Sequence, residues 1–207
     1  SDPLAENYNV NANYDDGSCE YPSNGDYSLN FDGVDDYVEV VNWNGIIGDY
    51  TIEALVKLNS ENDTQTILSH SDNFANNDNQ AGWMFYQTGP AFRWWEKNIN
   101  GGYSHLDVNP LNINDDSWHH ISIAREGDNF NFYLDGNSLE FECNEIGADC
   151  VHDENGLPFD ENSNLTIGNG LYPLDGTVDN ISIWNRALTD DEMANRAKGI
   201  EINPINL

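Results

Sequence analysis

From Tyr27 onward, apolar and polar residues alternate in segment after segment, and this period of two constrains the fold more than any other feature of the chain. The segments are DYVEVV, DYTIEALVKL, TQTILSH, GWMFYQ, AFRWWEK, WHHISIARE, NFNFYLDG, LTIGNG and GTVDNISIWNR, separated by Gly, Asn and Asp. Successive side chains of a strand point to opposite faces, so each segment can bury one face and solvate the other. In TIEALVKL, Ile52, Ala54, Val56 and Leu58 share a face while Glu53 and Lys57 take the opposite one. In NFNFYLDG, Phe130, Phe132 and Leu134 do the same, ahead of Asp135-Gly136, a dipeptide suited to a hairpin turn. Many antiparallel strands at short spacing predict an all-β fold, a two-sheet sandwich of jelly-roll type. One short C-terminal helix is expected in ALTDDEMANRAKG, where Thr189 and Glu192 form a capping box and Gly199 offers a stop. Asp190 and Asp191 suit its N-terminus.

Charge narrows the partners. Seven basic residues against 37 acidic ones give a net charge of −30 over 207 residues. Such a surface repels nucleic-acid phosphates and anionic lipid headgroups, and it attracts divalent cations. Calcium is therefore the first cofactor to consider. No stretch resembles a membrane span or a signal peptide, and because Ser1 begins abruptly a leader or further domains are expected upstream. Cys143 and Cys150 bracket ECNEIGADC without the spacing of a zinc site. A local disulfide is the simplest account and implies an oxidising, extracellular setting, with Cys19 left over. Residues 1–25 are rich in Asn and Asp and poor in aliphatic residues, and they read as a linker before a domain spanning 26–207. An EF-hand is refused there, because Tyr14 stands where its loop needs glycine.

Binding candidates fall in two places. In FRWWEK, Phe92 and Trp94 face one way while Arg93, Trp95 and Lys97 face the other. A solvent-facing Trp95 beside Arg93 and Tyr103 is suited to stacking on a sugar ring and bonding its hydroxyls. The polar loop SHSDNFANNDNQAGW adds Asp72 and Asn73, with Asp78 and Asn79 behind them, as hydroxyl or calcium contacts. The second place is the FDG turn. Asp179 alternates in phase with Ile181 and Ile183, which sets its carboxylate at the border of an apolar face. Asp32 is its candidate neighbour, the two sharing a structural calcium ion or bonding turn amides. Asp35 and Asp36 shape the turn, and Glu39 faces solvent. His119 and His120 point to opposite faces, a structural arrangement with Trp118 in the core, and His105 in GGYSHLD is expected nearer the surface. Asp153, Asn155 and Asp160 form a second acidic loop with no metal-site spacing.

Two resemblances complete the reading. SDPLAENYNVNANYDDGSCEYPSNG resembles the short secreted repeats related to thrombospondin type 3 segments, minus their earlier cysteine. YSLNFDGVDDYVEV, DYTIEALVKL, QTILSH, DDSWHHISIAREGDNFNFYLDG and LTIGNG through LDGTVDNISIWNRALTDDEM resemble successive landmarks of laminin-G-like domains, within the concanavalin-A-like lectin/glucanase jelly rolls. That superfamily includes lectins, glycanases, pentraxins and adhesive modules, so the fold alone implies no activity. Its glucanases carry E-x-D-x-x-E, or the same pattern with one further residue, on one strand. Here Glu61-Asn62-Asp63 and Glu126-Gly127-Asp128 begin the pattern, and neither has the downstream glutamate. The expectation is a non-catalytic extracellular module that binds a glycan or cell-surface ligand, dependent on or stabilised by Ca2+. The alternative is a protein-binding or spacer module of an adhesin with no sugar site.

Overall fold

The protein is described by a computed structural model, which covers residues 27–41, 43, 45–46, 48–59, 64–70, 82–97, 103–109, 111, 113–143, 164–168, 172–200 and 202. The alternating segments form strands. β1 (Leu29–Asp32), β3 (Tyr50–Leu58), β8 (His119–Glu126), β9 (Asn129–Leu134), β10 (Asn137–Leu139) and β13 (Asp175–Trp184) build a six-stranded sheet in the order β1-β13-β3-β8-β9-β10. A seven-stranded sheet contains β2 (Val38–Val40), β4 (Thr64–His70), β5 (Gly82–Thr88), β6 (Ala91–Lys97), β7 (Tyr103–Val108), β11 (Glu142–Cys143) and β12 (Leu165–Ile167). Its order is β11-β7-β6-β5-β4-β12-β2. Every pairing is antiparallel, and the result is the two-sheet sandwich with one short helix that the alternation predicts.

The apolar phase of each strand fills the space between the sheets. Ile52, Ala54, Val56 and Leu58 of β3 meet Phe85, Phe92, Trp94 and Leu106 of the other sheet in one core, with Phe130 and Phe132 beside them. Burying a side chain of this size stabilises a fold by about 1.5–3 kcal/mol, so the two-residue period is what sets the register. The β9–β10 hairpin turns at Asp135 (φ 50°) and Gly136 (φ 75°), as the Asp-Gly pair predicts. Only glycine suits the second position, since a Cβ there would lie 2.8 Å from the backbone of Ala194.

The polar phase of β3 is not left in water. Glu53 is fully buried on the outer face of the six-stranded sheet. It accepts hydrogen bonds from Trp184 Nε1 at 3.0 Å and Arg196 Nε at 2.8 Å, and lies 2.9 Å from His120 Nε2. Burial alone would push its carboxyl up, but the bonds from His120 and Trp184, with the charge of Arg196, hold it below the ordinary range. Arg196 comes from α1 (Asp190–Arg196), which packs on this face through Met193, clustered with Ala124, Tyr133 and the preceding Leu188. The helix has the predicted capping box. Arg186 grips Glu192 with two bonds of 2.8 and 2.7 Å, and this grip lowers the Glu192 carboxyl to about 2.

Two expectations need correction here. Trp118 is 43% exposed rather than in the core, because β8 begins one residue after it. Asp179 is not in phase with Ile183: a bulge shifts the β13–β3 register between Asp179 and Ser182. Asp179 consequently pairs with Leu55 while Ile183 pairs with Ile52 of the core.

Candidate functional site

β6 lies between β5 and β7, so its outward residues are flanked on both sides. Arg93 is in register with Tyr86 on β5 and Asp107 on β7, and Trp95 with Met84 and His105. The Tyr86 hydroxyl and His105 Nε2 are 2.9 Å apart, with the rings stacked at 6.2 Å between centroids. His105 Nε2 lies 3.3 Å from Asp107 Oδ1, and Arg93 Nε lies 3.0 Å from the same oxygen. Asp107 and Tyr86 are buried, whereas the side chains of Arg93 and His105 keep 28% and 22% of their surface. Burial holds the His105 imidazole below its ordinary pKa, opposed by the Asp107 charge, so the ring is neutral at pH 7. Burial also raises the Tyr86 phenol.

The patch therefore balances one guanidinium against one carboxylate and presents neutral donors and acceptors beside the half-buried Trp95 indole. An apolar ring next to fixed polar groups is the arrangement that recognises a sugar, whose C–H face stacks while its hydroxyls bond at the edge. Asp107 is the carboxylate that Arg93 and His105 share.

Arg93 and Trp95 thus stand together as the alternation of FRWWEK predicts. Tyr103 opens β7 in register with Lys97, and its side chain lies outside the described residues. Asp72 and Asn73 also lie outside them, as do Cys150, residues 1–26 and the loop holding Asp153, Asn155 and Asp160. Cys143 closes β11 in register with Leu106, its side chain undescribed. Tyr86, His105 and Asp107 were not foreseen as members of the patch. The available signal was YSHLDV, whose Leu106 and Val108 share the buried phase and so put His105 and Asp107 on the other face.

The acidic turn sorts differently from the expectation. β1 does pair with β13, and Gly33 N–H donates to Leu174 C=O at 2.8 Å. However, Asp32 pairs with Asp175, so Asp179 stands four residues farther on, about 13 Å along the ladder. Asp32 and Asp179 are not brought together. Asp32 instead clusters with Asp35 and Asp36, one oxygen of each lying within 4.8 Å of the others. Two of these acids also serve the turn: Asp32 accepts from Val34 N–H at 2.9 Å, and Asp36 from Asp32 N–H at 3.2 Å. An all-oxygen set on an exposed turn fits a hard cation such as calcium, which completes its shell with carbonyls and water.

Residues 32–194 match the Laminin_G_3 model of the concanavalin A-like lectin/glucanases superfamily, over most of the chain. The chain belongs to that superfamily. Its laminin-G fold is also that of a heptameric SAP-like pentraxin from Limulus polyphemus, at 16% identity and a TM-score of 0.59 over 82% of this chain and 81% of that one. The CBM40 of a Ruminococcus gnavus sialidase, solved with α2,3-sialyllactose, is similar at 16% identity and 0.58, over 83% of this chain and 98% of its own. A botulinum neurotoxin serotype D ligand-binding domain, solved with N-acetylneuraminic acid, gives 14% and 0.56 over 79% of this chain and 39% of that one. At these identities the likeness is one of fold. No curated protein matches the laminin-G chain by sequence.

Proposed function

We propose that this laminin-G-like chain is a non-catalytic glycan-recognition module, binding sugar on the outer face of its seven-stranded sheet. The observation that carries the reading is the array of Arg93, Tyr86, His105 and Asp107 beside the half-buried Trp95. Each group is fixed by a neighbouring strand or a polar partner before any ligand arrives, so little conformational entropy is lost on binding. Sugar ligands in the CBM40 and neurotoxin relatives support the ligand class. Arg93 is the cation such a site would turn toward a carboxylate-bearing sugar, through the guanidinium edge not taken by Asp107.

Calcium enters this reading as a stabiliser. Asp32, Asp35 and Asp36 would hold the ion, fastening the turn after β1 and, through the Gly33–Leu174 bond, the start of β13. The reading also keeps the module outside the cell, where a Cys143–Cys150 disulfide would form; intact mass with and without reductant tests the bridge.

A glycan array probed with the wild type, Arg93→Ala and Trp95→Ala tests the ligand site. The expected result is selective binding by the wild type that drops at least tenfold in both variants. Array silence from a folded protein, with calcium supplied, would instead assign the chain to spacer or protein-binding duty.

A further inference from the structure

The six-stranded sheet has an open cleft on its outer face, away from the Arg93 patch. It encloses about 470 Å³ and is lined by Tyr27, Ser28, Leu55, Trp118, Asp179 and Asn180, within the range of about 300–1,000 Å³ usual for small-molecule sites. The β13 bulge makes the polar wall. Where the register shifts, Asn180 takes a φ of 49°, a conformation asparagine tolerates better than most residues. Its N–H donates to Asp179 Oδ1 at 2.7 Å, which leaves the other carboxylate oxygen without a partner among the described residues. Trp118 supplies the opposite wall. Its indole is 43% exposed although Trp83 and Trp94 are buried, and exposed Tyr27 and half-buried Leu55 adjoin it.

We propose that this cleft is a second carbohydrate site, taking one neutral hexopyranose ring. The C–H face of the sugar stacks on Trp118, one hydroxyl donates to the free Asp179 oxygen, and the Asn180 amide both donates to and accepts from its neighbours. Charge sets the class. Asp179 carries the single charge among the lining residues, and Lys57, on the same side of β3 as Leu55, is already paired with Asp116 at 2.7 Å. Uronic, sialic and sulfated sugars are therefore repelled here, in contrast to the Arg93 face. The polar groups of Ser28, Asp179 and Asn180 together suit a ring of hydroxyls better than a compact ammonium ion, for which one carboxylate and an aromatic cage would be enough.

The site is independent of the Arg93 patch, and its test reads a different indole. In 15N-labelled protein, the Trp118 indole N–H is assigned by its loss in Trp118→Phe and followed during titration with neutral methyl hexopyranosides. The expected result is a saturable shift for at least one sugar, unchanged in Trp95→Ala and weakened about tenfold in Asp179→Asn, the loss of a charge-assisted hydrogen bond. A Trp118 signal that no neutral hexoside moves would overturn the proposal. So would a titration unchanged in Asp179→Asn, one abolished by Trp95→Ala, or a response to choline without any response to sugars.

Discussion

Glu96 is the residue whose ionisation this core opposes most clearly. It follows Phe92 and Trp94 in the inward phase of β6 and is 3% exposed. Trp94 Nε1 donates to its Oε2 at 2.9 Å, and the Tyr50 hydroxyl stands 3.5 Å from the same oxygen. Burial raises the Glu96 carboxyl to about 7, against the opposing pull of the Trp94 bond and the Arg125 charge. A folded pKa above the unfolded one makes this contribution complete below about 4.5 and lost as pH rises through about 7. Wild type should lose on the order of 2–3 kcal/mol between pH 4.5 and 8 relative to Glu96→Gln, read by urea unfolding of both proteins across that range. Self-repulsion of the −30 surface acts on both proteins alike, so the difference between them isolates Glu96. The two-residue period of AFRWWEK already turns Glu96 inward with Trp94. Its partners Tyr50 and Arg125 belong to the other sheet, a juxtaposition that no local pattern encodes.

At the scale of elements, local chemistry was the legible part. The hairpin at Asp135-Gly136 and the Thr189–Glu192 capping box depend on neighbouring residues, and both stand as the sequence implies. Thr189→Ala should cost about 1 kcal/mol, seen as a lower thermal midpoint with the strand signal intact below it. The β13 bulge was not legible, since the shift that separates Asp179 from the phase of Ile183 is decided by pairing with β3. Nor does any turn pattern announce the close approach at Gly168. Its φ is 79°, and a Cβ there would stand 2.3 Å from the Phe31 ring. Gly168→Ala should therefore destabilise by about 2 kcal/mol or more, while Phe31→Leu in the same protein should recover part of the loss by opening space.

At the scale of the molecule, the two sheets divide the labour. The inner faces supply the core, and α1 seals Glu53 under the six-stranded sheet. The outer face of the seven-stranded sheet holds the Arg93 patch. Alternation across nine segments made the sandwich legible, and it put Arg93 and Trp95 on one face. Tyr86 and Asp107 joined them only through strand order, which sets β5 and β7 on either side of β6. The proposed calcium site would act at this scale as well, because the Asp32–Asp36 turn follows β1, the edge strand of the six-stranded sheet. Millimolar calcium should raise the thermal midpoint, excess chelator should return it, and Asp35→Asn with Asp36→Asn should remove the response. A sodium chloride control of equal ionic strength distinguishes site binding from screening. Sugar binding on the Arg93 face is tested most directly by calorimetric titration of the best array glycan into wild type and Trp95→Ala. Saturable binding to wild type, at least tenfold weaker in the variant, is expected; equal affinity for the two proteins would contradict it.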